Sequence, residues 1–315
     1  MTTVRILRAD DVRAALPMQA CIEAVQDAFV AYSAGRAELP SVIHLDVPEA
    51  KGEIHVKAGH IHGAPAYAVK VASGFYAEDP AAIDGLVLVF DATTGAPVAF
   101  LLDGGVLTDT RTGAAGGVAA RWLAPARVDV VAVIGTGIQA RRQVEALRCV
   151  RPELGEIRVW GRDMERAMRA AHDIGAMVAE SVQEAVAGAN VVLTCTASRE
   201  PLVDAAWVEP GAHITAVGSD GDGKQELDPE LLRRADIVAV DSSDQCRRLG
   251  ELQHALDQAD RAIELGRICA EEVPGRTDEA QLTICDLTGV GVQDVAAANA
   301  VLANAPADAG ERLEL

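Results

Sequence analysis

At 315 residues, half of them hydrophobic, the chain is too long for one simple core and suits two lobes. A formal net charge of −19 argues against nucleic acid and anionic membrane surfaces as partners. The strand-length, interrupted apolar runs, such as VDVVAVI, are too short to span a bilayer. Six scattered cysteines with no paired spacing fit reduced thiols better than a disulfide framework or a zinc site. The N-terminus carries charges where a secretory signal needs an apolar stretch, so the expectation is an acidic, cytoplasmic protein.

Residues 17–34 place Cys21, Ala24, Val25, Ala28 and Phe29 on one face before Gly35, which predicts an amphipathic helix. Extended pieces follow: EIHVKAG, AYAVKVASG, and the pair GLVLVF and APVAFLL joined by DATTG. The last pair predicts a hairpin and an N-terminal α+β lobe with an antiparallel sheet. A Gly/Ala-rich helix, TDTRTGAAGGVAARWL, closes that lobe near residue 122. From 128 onward VDVVAVIG, EIRVWG, ANVVLTC, AHITAVG and ADIVAVD alternate with helical patterns. That rhythm predicts α/β architecture with a Rossmann-type, doubly wound parallel sheet. QLTICDLTGVGVQD adds a strand and a glycine turn, and a final apolar helix is expected within 292–315, packed back on the first lobe.

VVAVIGTGIQARRQVEAL reads strand, then Gly135-x-Gly137-x-x-Ala140, then helix. Gly135 permits a tight turn, Gly137 a close approach of pyrophosphate, and Ala140 close packing of helix on strand. Gly135, Thr136, Gly137, Ile138, Gln139 and Ala140 are therefore the expected phosphate-binding stretch, with N–H groups at the helix start facing the anion. The second strand ends VWGRD, where an NAD site usually carries an acid for the ribose hydroxyls. Gly161 stands there instead, followed by Arg162, which favours the 2′-phosphate of NADP(H) over NAD(H). The alternative is a solvated Arg162 with Asp163 capping the next helix.

SDGDGKQELDPELL, residues 219–232, crowds acids, glycines and a lysine into one turn. Taken alone it fits a solvated turn before a helix. Its neighbours change that reading. VKVASGFY, LLDGGVLTDTRTGAAGGVAARWLA, VAVIGTGIQAR, GSDGDGKQELDPELL and ICDLTGVGVQD occur in this order. Together they resemble the ornithine cyclodeaminase/mu-crystallin family over nearly the whole chain, and most resemble its EutC-type ectoine-utilisation subfamily.

The resemblance implies a Rossmann domain, placed at 123–291, and a substrate-binding and dimerisation lobe at 1–122 joined by the C-terminal helix, hence a homodimer. It also implies hydride transfer between a nicotinamide and the α-carbon of a small amino or imino acid. By position, the substrate lysine matches Lys70, the carboxylate-binding arginine Arg111, the catalytic aspartate Asp220 and a cofactor-contacting lysine Lys224. Thr112, Thr196 and Gly289 complete the expected cofactor contacts. The chemistry is coherent unaided: an arginine fork grips a carboxylate, and a positioned carboxylate exchanges the amine proton.

The chain departs from the family's pattern in several places. A second carboxylate-binding arginine gives way to Val42, Ile43 and His44, which makes His44 a candidate substitute donor. Glu53, His55 and Lys57 fall at alternate positions, a polar strand face that would line the pocket, with Lys57 a substrate contact. Three nearby histidines, His55, His60 and His62, lack metal-site spacing, and no metal is expected. Three functions remain: imine reductase or amino-acid dehydrogenase, cyclodeaminase with internally recycled NAD(P), or a nicotinamide-binding protein without catalysis.

Overall fold

The structure is a computed structural model that describes residues 3–75, 77 and 82–314. Tyr76, at the end of the VKVASGFY motif, lies outside the described residues. The chain forms two compact units, Met1–Arg111 with Val290–Leu315, and Thr112–Gly289. The sequence reading places these breaks at 122 and 291 instead. The earlier break has a local reason: Gly113 and Gly116 let the second half of one long helix lie against Arg142 and Gln143, inside the second unit.

In the first unit the strands are β1 (Thr3–Arg8), β2 (Ala37–Glu38), β3 (Ile43–Val47), β4 (Gly52–Ile61), β5 (Ala66–Phe75), β6 (Ala82–Asp91) and β7 (Pro97–Leu102). Helices α1 (Ala9–Ala15) and α2 (Met18–Ser33) fall between β1 and β2, and α3 (Val106–Leu123) follows β7. The expected DATTG hairpin joins β6 to β7 in antiparallel register. The sheet runs β18 (Glu311–Glu314), β1, β7, β6, β5, β4, β2, with β3 also on β4. It is mixed and not purely antiparallel, because β1 pairs parallel to β7. The last helix, α10 (Gly291–Asn304), ends well short of 315, and β18 (Glu311–Glu314) pairs antiparallel with β1. Pro306 cannot continue the helix, and Gly310, at φ 75°, turns the chain into the strand.

Side-chain alternation along β5 decides the layering. Ala66, Ala68 and Lys70 are buried, whereas Tyr67, Val69 and Val71 are half-buried on the opposite face. The inner face packs against α10, and α10 packs in turn on α2. The outer face carries Val71, Leu86, Leu88 and Phe100, with Ile43 and Leu45 exposed by 62% and 55%.

The second unit contains β8 (Val128–Ile134), α4 (Ile138–Val150), β9 (Leu154–Trp160), α5 (Met164–Ile174), β10 (Met177–Val178), α6 (Val182–Val186) and β11 (Val191–Thr194). It continues with β12 (Arg199–Val203), β13 (His213–Ala216), β14 (Gln225–Leu227), α7 (Pro229–Arg234), β15 (Ile237–Val240), α8 (Ser243–Leu249), β16 (Ile263–Glu264), α9 (Leu265–Cys269) and β17 (Thr283–Asp286). The main sheet runs β10-β9-β8-β11-β13-β17-β15-β16, and its pairings are parallel. Strand order therefore reverses beside β8, the topological switch point where open α/β sheets bind ligands at strand carboxyl ends. Fully buried runs such as Val131–Ile134 and Val191–Leu193 suit strands covered on both faces. No helix among the described residues is long and apolar enough to cross a membrane.

Candidate active site

In the first unit, Lys70 of β5, Arg111 of α3 and Asp294 of α10 meet on the buried face. They are only 2%, 4% and 2% exposed, respectively. Asp294 Oδ1 accepts from Lys70 Nζ at 2.9 Å and from Arg111 Nε at 2.8 Å. Arg111 Nη1 also donates to Gln293 Oε1 at 2.6 Å. Lys57 sits directly across from Lys70 in the β4–β5 register, so both point to the same face. Burial pulls the Lys70 ammonium down to about 7, with the nearby Arg111 charge acting the same way and Asp294 opposing. Burial alone would raise the Asp294 carboxyl, but Arg111, Lys70 and Lys57 outweigh it and hold it below the usual range. The arrangement is a buried, net-positive cluster with one proton poised near neutrality. That is the electrostatic complement of a small carboxylate.

His44 does not join this cluster. It lies on β3, exposed, with Nε2 at 2.9 Å from Asp46 and its ring edge-on to His55 at 4.6 Å. Register puts Asp46, His44, Glu53, His55 and Lys57 on the face that carries Lys70, as the alternation of the polar residues predicts. His60 has the opposite parity to His55 on β4, so the histidines do not converge. No group of three residues able to hold a metal assembles among the described residues. Asp294 was not foreseen, although it ends the GVGVQD motif and falls in the first turn of α10.

In the second unit the expected residues line the carboxyl ends of the strands. Gly135–Ala140 follow β8, Arg162 follows β9, Thr196 follows β11, Asp220 follows β13 and Gly289 follows β17. Gly135 has φ 130°, and a Cβ there would stand 2.7 Å from Cys195 Sγ, so only glycine fits. Nothing lies within 4 Å of a Cβ built on Gly137. The start of α4 is thus open to an anion, with exposed N–H groups. Ala140 is fully buried among the β8 valines, and Arg141 donates to the carbonyls of Thr136 and Gly137, fixing the loop. These features fit a dinucleotide pyrophosphate.

At the end of β9, a Cβ on Gly161 would stand 2.4 Å from Thr136 Cγ2, so a side chain there would need Thr136 to turn away. Asp163 accepts from Arg166 N–H at 2.9 Å and caps α5, and Arg162 is exposed. Thr112 contributes its carbonyl to Gln143 Nε2, and Gly289 N–H donates to Asp241 at 2.6 Å. Lys224 Nζ lies 2.7 Å from Asp220 Oδ1. Their loop is clamped from outside. Gln253 Oε1 accepts from Gly223 N–H, Gln253 Nε2 donates to the carbonyls of Gly221 and Lys224, and Ser219 Oγ also reaches Lys224 O.

The description of the ornithine cyclodeaminase/mu-crystallin family matches residues 3–308. Among solved structures, an archaeal alanine dehydrogenase dimer with bound NAD is 32% identical with a TM-score of 0.90 over the whole of both chains. The Δ1-pyrroline-2-carboxylate reductase of Thermococcus litoralis, in complex with NADH and L-proline, is 28% identical with a TM-score of 0.89, covering 96% of this chain and 97% of that one. A lysine cyclodeaminase that recognises L-lysine, L-ornithine and L-2,4-diaminobutyric acid is 30% identical with a TM-score of 0.85, covering 100% of this chain and 96% of that one. A glycine fingerprint at a switch point, a buried lysine–arginine pair and a match over almost the full length lead to one conclusion: the chain is an enzyme of the ornithine cyclodeaminase/mu-crystallin family.

Proposed function

We propose that the protein transfers hydride between a nicotinamide coenzyme and the α-carbon of a small α-amino or α-imino acid, as an imine reductase or amino-acid dehydrogenase. The observation that carries this reading is the buried Lys70–Arg111–Asp294 cluster, whose excess positive charge suits an α-carboxylate next to the reacting carbon. Bound coenzyme supplies or takes up the hydride. Arg111 and Lys70 hold the substrate carboxylate, with Lys57 beside them, and this orientation is itself worth several kcal/mol. Asp220 accepts the amine proton during oxidation and returns it to the imine nitrogen during reduction, and Lys224 orients its carboxylate. The exposed Arg162 and the glycine in place of an acid at position 161 support NADP(H) over NAD(H). The outer apolar sheet face of the first unit supports a homodimer, and six free cysteines support a reducing, cytoplasmic setting.

A cyclodeaminase reaction is the second reading. Glu53 and Asp46 share the sheet face of Lys70, where acids could recognise a distal amine. One experiment separates the two: nicotinamide absorbance is followed with NADPH or NADH and a panel of cyclic and acyclic imino acids, and with ornithine and diaminobutyrate plus the oxidised coenzymes. A net change abolished by Asp220→Ala supports the reductase or dehydrogenase. Ammonia and a cyclised product without net change would replace it with the cyclodeaminase. Coenzyme binding with neither reaction would sink both.

A further inference from the structure

Three carboxylates in the second unit have no assigned role although each is fully buried: Glu226, Glu251 and Asp286. Backbone N–H groups connect them in series. Asp286 Oδ2 accepts from Leu252 N–H at 3.0 Å, next to Glu251. Glu251 accepts from the N–H groups of Glu226 and Leu227 at 2.8 and 3.2 Å. Glu226 accepts from Thr196 N–H on one oxygen, and from Gly218 N–H at 2.9 Å and Thr194 Oγ1 at 2.7 Å on the other. Burial pushes all three carboxyls above their ordinary range, so the fold holds them in place at a cost.

The last link has the clearest purpose. Thr194 and Thr196 lie at and beyond the end of β11, and Gly218 lies beyond the end of β13, two residues before Asp220. These ends are neighbours in the parallel sheet. One carboxylate therefore ties together the two loops that the hydride-transfer reading assigns to coenzyme and proton transfer. Ordinary strand pairing stops at Thr194 and Ala216; just beyond it Val217 N–H donates to Thr194 O at 3.0 Å and the Thr196 carbonyl packs against Gly218, and the bridge adds a side-chain tie that fixes this close approach.

We propose that Glu226 is a positioning residue that sets the spacing of the Thr196 and Asp220 loops and so shapes the surface on which the nicotinamide rests. This role rests on the nicotinamide reading above. Glu226 touches no reacting atom. A carboxylate suits the position because all three partners are donors, whereas an amide offers one acceptor oxygen and turns an NH2 group toward another donor.

The test measures coenzyme affinity by the change in NADPH and NADH fluorescence on binding, alongside steady-state kinetics and thermal unfolding. Glu226→Gln is expected to weaken coenzyme binding about tenfold, the scale of one hydrogen bond lost between the displaced loops and the coenzyme. The coenzyme KM should rise with it while the imino-acid KM holds, a split that general loosening of the fold would not produce. Thr194→Val removes one side-chain donor from the bridge and should shift the coenzyme Kd in the same direction, by a few fold. It decides the question if Glu226→Gln does not fold. Wild-type coenzyme affinity in a folded Glu226→Gln, or no shift in Thr194→Val where Glu226→Gln is unfolded, overturns the role of Glu226 alone. Failure of the unmodified protein to bind either coenzyme overturns the nicotinamide reading and this role with it.

Discussion

Replacing Asp294 by asparagine keeps the shape of the side chain and removes the anion that Lys70 and Arg111 share at 2.9 and 2.8 Å. At an effective dielectric of about 20, each pairing is worth roughly 5–6 kcal/mol before desolvation is counted. Breaking a buried pair typically costs about 3–5 kcal/mol. Lys70, with its ammonium already brought down to about 7, sheds its proton near neutrality at little cost, so the forfeited term is mainly that of Arg111. The expected loss is about 3 kcal/mol. At about 2.1 cal/mol/K of unfolding entropy per residue, a cooperative unfolding of all 315 residues converts this to a Tm lower by about 5 °C. The effect depends on pH in a stated direction. Because the native state depresses Lys70, it binds fewer protons than the unfolded chain between about 7 and 10.5, and stability rises with pH across that window. Without Asp294 the window extends to lower pH, so the stability gap to the unmodified protein should widen below pH 7, by up to about 1.4 kcal/mol per unit. Circular-dichroism melts at pH 8, 7 and 6 measure this. A Tm loss under 1 °C, or a gap that fails to grow as pH falls, would refute the view that Asp294 balances these charges.

Other changes should separate the roles. Arg111→Lys keeps the charge but loses the planar fork, so the imino-acid KM should rise tenfold or more with the coenzyme KM unchanged; equal KM values in steady-state kinetics would remove Arg111 from substrate binding. Arg162→Ala should lower kcat/KM for NADPH and spare NADH, and an unchanged ratio would assign Arg162 to the solvated surface. Burial raises the Asp286 carboxyl from 3.8 to about 7, so its stabilising contribution is full below about 4 and is lost as pH rises through 7. Asp286→Asn should therefore flatten the fall in unfolding free energy, measured by urea melts, between pH 5 and 8, by at most about 2.7 kcal/mol; an unaltered slope would count against a buried, titrating Asp286. Leu88→Asp, on the outer sheet face, should convert a dimer to monomers in analytical ultracentrifugation, and an intact dimer would place the interface elsewhere.

The parts legible in the sequence were those set by local spacing. The Gly135–Ala140 turn follows from one strand, one turn and one helix, and the β8 valines mark a strand covered on both faces. The hairpin of β6 and β7 was equally local. What escaped depends on distant partners. β18 is a short, charged, exposed run, ERLE, that becomes a strand only because β1 offers an edge. Its Glu311 also pairs with Arg8, 303 residues earlier. Asp294 reads as a helix-start acid until its partners, 224 and 183 residues away, arrive. His44 was a candidate donor on sequence position alone, and the structure assigns it instead to Asp46 and His55. Only the sheet register could show that Lys57 and Lys70 share a face.

The insertion of the second unit between residues 111 and 290 has a consequence for biosynthesis. As the chain leaves the ribosome, the whole second unit emerges before α10 and β18, so it can acquire its parallel sheet while the first unit is still unfinished. Until α10 arrives, Lys70 and Arg111 lack the Asp294 carboxylate that they share, and the sheet face that receives this helix stays uncovered. The segment that carries Asp294 is therefore made after the whole of the second unit. A ribosome stalled before residue 290 would hold a nascent chain able to complete its second unit but not its first.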